Sequence, residues 1–276
     1  MTKSIEKIIV ESYEIWRKNL KISLPFLLNF LFSTLLFAAI FSIPLVLLLF
    51  GILEPLTSFL LFLLMSFLYF ILWNLINSFF TASAISMSKY AINGEKLEYK
   101  HIFHPKMKSF GNLFIFYLFY FIFLIVMSIL LGLVGTLLRI NFLELFLISI
   151  TLLLYPVPYA IVLDKVNFIE GSRRGIEFFS RNKSLVTLLY FFQGFIFQVI
   201  SVLFYAAIFI VIGTLILLIS NVQNLTQIVQ STAHLASGLL ALLAIFLLVS
   251  LIINILVISP IFTIIWTNFY LKGENE

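Results

Sequence analysis

Six stretches of this chain can each cross a lipid bilayer, and none carries a Lys, Arg, Asp or Glu in its interior: Ile22 to Leu53, Leu56 to Ser88, Phe110 to Val134, Leu143 to Leu163, Leu185 to Ile219 and Leu235 to Leu271. A hydrocarbon core about 30 Å thick needs about 20 apolar residues at a rise of 1.5 Å each. Inside it the backbone must satisfy its own polar groups, which a helix does within one segment. The runs therefore predict an all-α, polytopic membrane bundle of six transmembrane helices. Composition agrees, with 62% hydrophobic and only 11% charged residues, against about a quarter charged in soluble domains. Residues 1–276 are expected to form a single integral membrane domain. Four of the runs exceed 30 residues, so tilting, kinking or extension beyond the lipid is expected. Pro25, Pro44 and Pro260 are the candidate kinks or helix entries.

Orientation follows from the positive residues, which are retained on the cytoplasmic side. Of the 17 Lys and Arg all but Arg139 fall on the side of the two termini, as do all of the 12 acidic residues except Glu54 and Glu144. Both termini are thus expected in the cytoplasm and the protein in the plasma membrane. The positive inner face predicts membrane lipids with anionic headgroups as partners. It offers no soluble basic surface large enough for nucleic acid, and the sequence leaves homo-oligomerisation open. Cysteine is absent, which excludes disulfides, thiolate metal sites and cysteine nucleophiles. The charged N-terminal residues Lys3, Glu6, Lys7, Glu11 and Glu14 do not fit a cleaved signal peptide.

Two segments outside the spans have amphipathic spacing. In the first, about 3–20, Ile5, Ile8, Ile9, Ser12, Ile15, Trp16 and Leu20 share a side, with Lys3, Lys7, Glu11, Glu14, Arg17 and Lys18 mostly opposite. In the second, about 165–182, Val166, Ile169, Ile176 and Phe179 alternate with Lys165, Glu170, Arg173, Arg174, Glu177 and Arg181. Each reads equally well as a cytoplasmic helix on the lipid surface or as one packed on the bundle floor. Arg17, Lys18, Arg173, Arg174, Arg181 and Lys183 are the candidate headgroup contacts. The two segments align, Tyr13 to Asn19 with Ile176 to Asn182, and the later Tyr90 to Glu95 aligns with Tyr270 to Glu274. The shared order suggests a duplicated unit of interfacial helix plus helical hairpin, with spans three and four between the copies.

The run Pro158 to Asp164 followed by Ile169 to Asn182 resembles the signature of a broad prokaryotic group of multipass proteins, itself similar to the membrane domain attached to some glycerophosphoryl diester phosphodiesterases. The resemblance extends diffusely over the chain through the helix order and Gly94-Glu95. It implies topology. The soluble catalytic domain of those fusions has no counterpart here, and no catalytic motif is carried over.

Catalytic chemistry in a membrane needs paired carboxylates, a metal cluster or an activated nucleophile. The spans hold none, and no cofactor motif is present. His101 and His104 could share a metal with Glu95 and Glu98 nearby, but Pro105 favours a polar interfacial loop. His234 stands alone on the outer side, where Asn224-Leu225-Thr226 matches a glycosylation sequon. Within the spans, amides and hydroxyls recur at helical spacing: Asn74, Ser78, Thr81 and Ser88 with Asn77 beside them, Gly194, Gln198, Ser201 and Tyr205, and Ser250, Asn254 and Asn268, with Asn29 and Ser33 in span one. Such faces turn inward, either to hydrogen-bond between helices or to line a weakly polar groove. Asn74, Asn77, Ser78, Gln198, Ser201 and Asn254 are the candidate groove. An uncharged groove suits a lipid or amphiphile, which predicts a non-enzymatic protein that binds, organises or moves lipids. The alternative is a secondary transporter or channel for a small solute, although coupled transporters carry intramembrane acids or His.

Overall fold

The computed structural model describes residues 2–51, 54–103, 107–138, 143–199 and 248–273. Among them the regular structure is helical, and five helices are long and apolar enough to cross a membrane: Leu20–Leu48, Leu56–Ile92, Met107–Thr136, Leu143–Leu163 and Leu248–Gly273. The parts of the fifth and sixth expected spans within 200–247, with Ser201, Asn224 and His234, lie outside the described residues, as do His104 and Arg139. Contacts divide the chain into two compact units, one of residues 1–186 with 259–276 and one of 187–258.

The first unit begins with α1 (Thr2–Lys18), a short 3-10 turn (Leu20–Ser23) and α2 (Leu24–Leu49). Pro25 sits in the first turn of α2, where a missing N–H is harmless. Pro44 lies inside α2. Next come α3 (Pro55–Ile92), α4 (Lys100–Phe103) and α5 (Met107–Leu138). Helix α3 stops where Gly94 adopts φ +75°, with Gly94 N–H bonded to the Ala91 carbonyl and Glu95 N–H to that of Tyr90. This is the paired closure of a Schellman turn, which needs the left-handed conformation glycine adopts freely.

The fourth expected span is broken. It forms α6 (Leu143–Leu154) and α7 (Val157–Leu163), with a turn at Tyr155 and Pro156 between them. Pro156 and Pro158 have no N–H to offer the carbonyls of Leu152 and Leu154, and each ring crowds the carbonyl four residues back. A helix restarts only because Tyr159 and Ala160 donate to the Pro156 carbonyl. The helix interruption thus falls at prolines other than the three singled out from sequence.

Helix α8 (Phe168–Arg181) follows, and Ser259–Gly273 closes this unit and is labelled α10 below. In the second unit the apolar helix α9 (Lys183–Val199, whose first residues belong to the first unit) runs on from α8, and the residues before α10 include a π turn at Asn254–Ile258. Pro260 enters α10 just after this turn.

Packing in the first unit is concentrated at the end that carries the charged segments. Ile22, Phe80, Met87, Ala91, Leu97, Ile102 and Ile264 form a buried cluster, against which Ile15, Trp16 and Tyr90 pack. Polar bonds fasten the same end. Lys21 Nζ donates to the Leu97 carbonyl (3.0 Å), Ser83 Oγ to that of Ile102 (2.7 Å), Asn112 Nδ2 to that of Val166 (3.3 Å), and Lys272 Nζ to Glu11 Oε2 (2.7 Å). The Glu11 carboxyl is held below its ordinary range, first by that Lys272 bond. Farther along α2, α3 and α5 large apolar side chains are exposed, with Leu35 at 66% and Phe67 at 64%. Exposed rows of this kind suit hydrocarbon rather than water, so the chain is a membrane-embedded helical protein.

Both amphipathic segments are helices that bury one face. Ile8 and Ser12 of α1 are buried, and α1 packs against α10. On α8, Gly171, Gly175 and Phe178 face inward. Floor packing therefore accounts for one side of each helix, while Arg17, Lys18, Arg173 and Arg181 remain exposed.

Candidate functional site

The proline break opens the most distinctive cavity of the first unit. Once α6 and α7 separate at Pro156, Tyr155 and Tyr159 lie on the interior side, where both rings pack on Trp266 of α10 at centroid distances of 4.5 and 6.2 Å. Opposite them stand Tyr117 and Tyr120 of α5, Thr81 of α3 and Thr263 of α10. The cavity holds about 310 Å³, at the lower edge of the range of about 300 to 1,000 Å³ typical of ligand pockets.

Its lining is chemically uniform. Rings and aliphatic groups supply the walls, hydroxyls supply the polarity, and among the described residues no carboxylate, Lys, Arg or His lines it. Two hydroxyls from facing helices are tied together, Tyr120 Oη and Thr151 Oγ1 lying 2.9 Å apart, and Tyr117, Thr81, Tyr159 and Thr263 add further hydroxyls to the lining. Thr151 and Thr263 also donate to carbonyls one turn back, those of Leu147 (2.7 Å) and Ser259 (3.0 Å). A hydroxyl can donate and accept at once, so the walls keep acceptor capacity for a ligand hydroxyl or ester without placing an unpaired charge in lipid.

Below the cavity α7 joins α8 through a compact polar hub. Gly171 and Gly175 let α8 approach α7 so closely that a Cβ on Gly175 would stand 2.7 Å from Val157 Cα, and one on Gly171 would overlap Ile161. Asn167 caps α8 by accepting the Glu170 N–H at 2.8 Å. Asp164, with only 8% of its side chain exposed, pairs with Arg174 Nη1 at 3.3 Å and accepts Tyr270 Oη at 2.9 Å. Glu170 receives both Arg173 (2.7 Å) and Arg174 (3.0 Å). Those two guanidiniums, Arg173 first, hold the Glu170 carboxyl down to about 2.

The residues singled out from sequence fall into three places. Asn77 joins α3 to α2, its Oδ1 accepting Asn29 Nδ2 at 3.1 Å. Ser78 donates to the Asn74 carbonyl (2.7 Å), and Asn74 is buried at 2% exposure with no partner for Nδ2 among the described residues. This stripe packs helices, and none of its three residues lines the cavity. Gln198 and Asn254 belong to the second unit, Gln198 exposed and Asn254 half-buried. Of the expected headgroup contacts, Arg173, Arg174 and Arg181 each face a carboxylate, Arg181 through Glu177. Arg17 and Lys183 are exposed without an ion pair among the described residues.

No family model, curated protein or solved structure matches the chain.

Of the lining hydroxyls only Thr81 belongs to the amide and small-residue stripes evident in the sequence; Tyr117, Tyr120, Thr151, Tyr155, Tyr159 and Thr263 lie outside them. A signal was present: Thr151, Tyr155 and Tyr159 follow an i, i+4, i+8 spacing through two prolines.

Proposed function

We propose that this is a six-span plasma-membrane protein with cytoplasmic termini that binds, organises or moves lipids or related amphiphiles without catalysing a reaction. The observation that carries the reading is the uncharged cavity of about 310 Å³ with its tyrosine and threonine lining. Hydroxyls beside aromatic walls suit the junction of a lipid, where an ester or hydroxyl meets hydrocarbon. The same lining disfavours a coupled solute carrier, whose site would need an intramembrane acid or His. Sixteen-to-one sorting of basic residues supports the orientation. The resemblance of Pro158 to Asn182 to the prokaryotic multipass group belongs to the same proposal and adds no activity to it.

The test is native mass spectrometry of protein released in mild detergent, with wild type beside Thr151→Phe, whose ring would occupy part of the cavity. Wild type should retain a lipid or amphiphile, and the variant should lose most of it while melting within a few degrees of wild type. No retained amphiphile in wild type, or equal retention in a folded variant, would overturn the reading.

A further inference from the structure

A second cavity, of about 270 Å³, lies at the charged end of the first unit and is lined by Ser86, Lys89, Glu95, His101, Ser109 and Lys165 together with backbone from the end of α7. Its elements are the last turns of α3, the short α4, the start of α5 and the link between α7 and α8. Each side chain has a definite state. Lys89 Nζ donates to the Leu163 carbonyl at 3.3 Å, which leaves two of its three N–H groups without a partner among the described residues. Lys165 makes no ion pair among the described residues and holds φ at 58°, a backbone region that non-glycine residues adopt infrequently and that recurs at ligand clamps.

His101 is oriented from both sides. Its ring stacks on Tyr90 at 4.8 Å, and its Nδ1 accepts the Glu98 N–H at 3.2 Å. With Nδ1 engaged as an acceptor, the neutral ring carries its proton on Nε2, a donor. Ser109 is 3% exposed and brings a hydroxyl to the cavity wall. The single lining carboxylate, Glu95, accepts Asn93 Nδ2 at 3.4 Å. Two ammonium groups against one carboxylate leave a net positive charge, with imidazole and hydroxyl donors beside it. That combination fits the oxygens of a phosphate ester.

Position gives the site a second half. Lys89 is one turn from Ile85 and two from Thr81 on α3, and Leu163 is one turn from Tyr159 on α7, so at 1.5 Å per residue the hydroxyl-lined cavity lies about 6 to 12 Å along the same helices. Ser109 and Phe116 repeat this relation on α5.

We infer that the cationic cavity takes the phosphate of an anionic phospholipid whose glycerol and upper chains occupy the hydroxyl-lined cavity. The inference rests on the lipid-binding reading above and names its ligand class.

The test uses the full chain in nanodiscs of phosphatidylcholine containing either phosphatidylglycerol or diacylglycerol, with retained lipid counted by native mass spectrometry. Wild type should prefer phosphatidylglycerol over diacylglycerol by about thirtyfold, the scale expected of two lysines near a headgroup at about 1 kcal/mol each. In Lys89→Gln/Lys165→Gln the preference should fall to near one while diacylglycerol retention persists, and Lys89→Arg/Lys165→Arg should keep it. Added inorganic phosphate should not displace the lipid. An unchanged preference in the folded Gln variant overturns the inference. So does displacement by inorganic phosphate, which would mark a site for the free ion. Retention of neither lipid by wild type would instead refute the lipid-binding reading itself.

Discussion

Gly175→Ala sets two opposed effects against each other at one atom. In a helix interior the change gains up to about 1 kcal/mol from backbone propensity. Here the new methyl would meet Val157 Cα at 2.7 Å, its Cγ2 at 2.7 Å and its backbone N at 2.8 Å. Carbon atoms rest at about 3.5 to 4.0 Å, so α7 and α8 must part by roughly 1 Å. Two of the three obstructing atoms are backbone, which no rotamer change can clear. Overpacking of this kind costs about 1 to 3 kcal/mol. The same displacement stretches the Arg174 to Asp164 contact, already at 3.3 Å, beyond useful hydrogen-bond range. The clash should therefore outweigh the propensity gain, for a net loss of about 1 to 2 kcal/mol. The assay is thermal unfolding in detergent beside Gly111→Ala, a helical glycine whose Cβ would meet nothing within 4 Å. Gly111→Ala should melt at or above wild type and Gly175→Ala below it. Equal melting of the two variants would refute the close crossing.

Asp164→Asn should destabilise by about 1.5 to 3 kcal/mol, the range for bonds to charged groups, and Tyr270→Phe by less, read from the same melts; equal, negligible losses would remove the hub. Because the Glu170 carboxyl is depressed to about 2 from an ordinary 4.5, its pairing is complete above the ordinary value and is lost as pH falls through about 2. Amide protection across α8, taken as exchange relative to the intrinsic rate at each pH, should thus hold from pH 5 to pH 4 and fall toward pH 2, a dependence that Glu170→Gln abolishes. Asn77→Leu should cost about 0.6 kcal/mol, the average for a membrane hydrogen bond, whereas Asn74→Leu, which removes an unpartnered buried amide nitrogen, should leave stability equal or higher. For orientation, the cysteine-free background allows single labels at two exposed positions. Glu54→Cys should react with an impermeant maleimide on intact cells and Ser180→Cys only after lysis. Labelling of Ser180→Cys before lysis would invert the proposed topology.

Much of this architecture was legible because its causes are local. Apolar length marks the spanning helices, and the alternation around Ile8, Ser12 and Ile15 marks the buried face of α1. The break in the fourth span was missed because average hydropathy from Leu143 to Leu163 stays high across Pro156 and Pro158, although the lost N–H groups are evident residue by residue. Counting charges by side likewise treated Arg173, Arg174 and Arg181 as available cations. Their partners at i−3 or i−4, Glu170 and Glu177, were within reach of a helical reading. The Tyr270 to Asp164 bond was not, since it spans 106 residues of sequence and depends on how α10 returns to α7. The same holds for the cavity, whose walls come from six separate helices.

The tight meeting of α7 and α8 also constrains how this chain can change over evolutionary time. Substitutions at Ile169, Arg173 and Glu177 face outward and can drift with their surroundings, but position 175 excludes even a methyl group unless the neighbouring backbone moves with it. Position 171 has only slightly more freedom, because the obstructing atom nearest it belongs to the Ile161 side chain. Distant relatives sharing this crossing should keep a sparse ordered pattern: two prolines two apart, a carboxylate six residues later, an Asn cap followed three residues on by Glu, and glycines four apart. Such a pattern can persist after overall resemblance has decayed, because steric exclusion rather than apolar composition enforces its glycines.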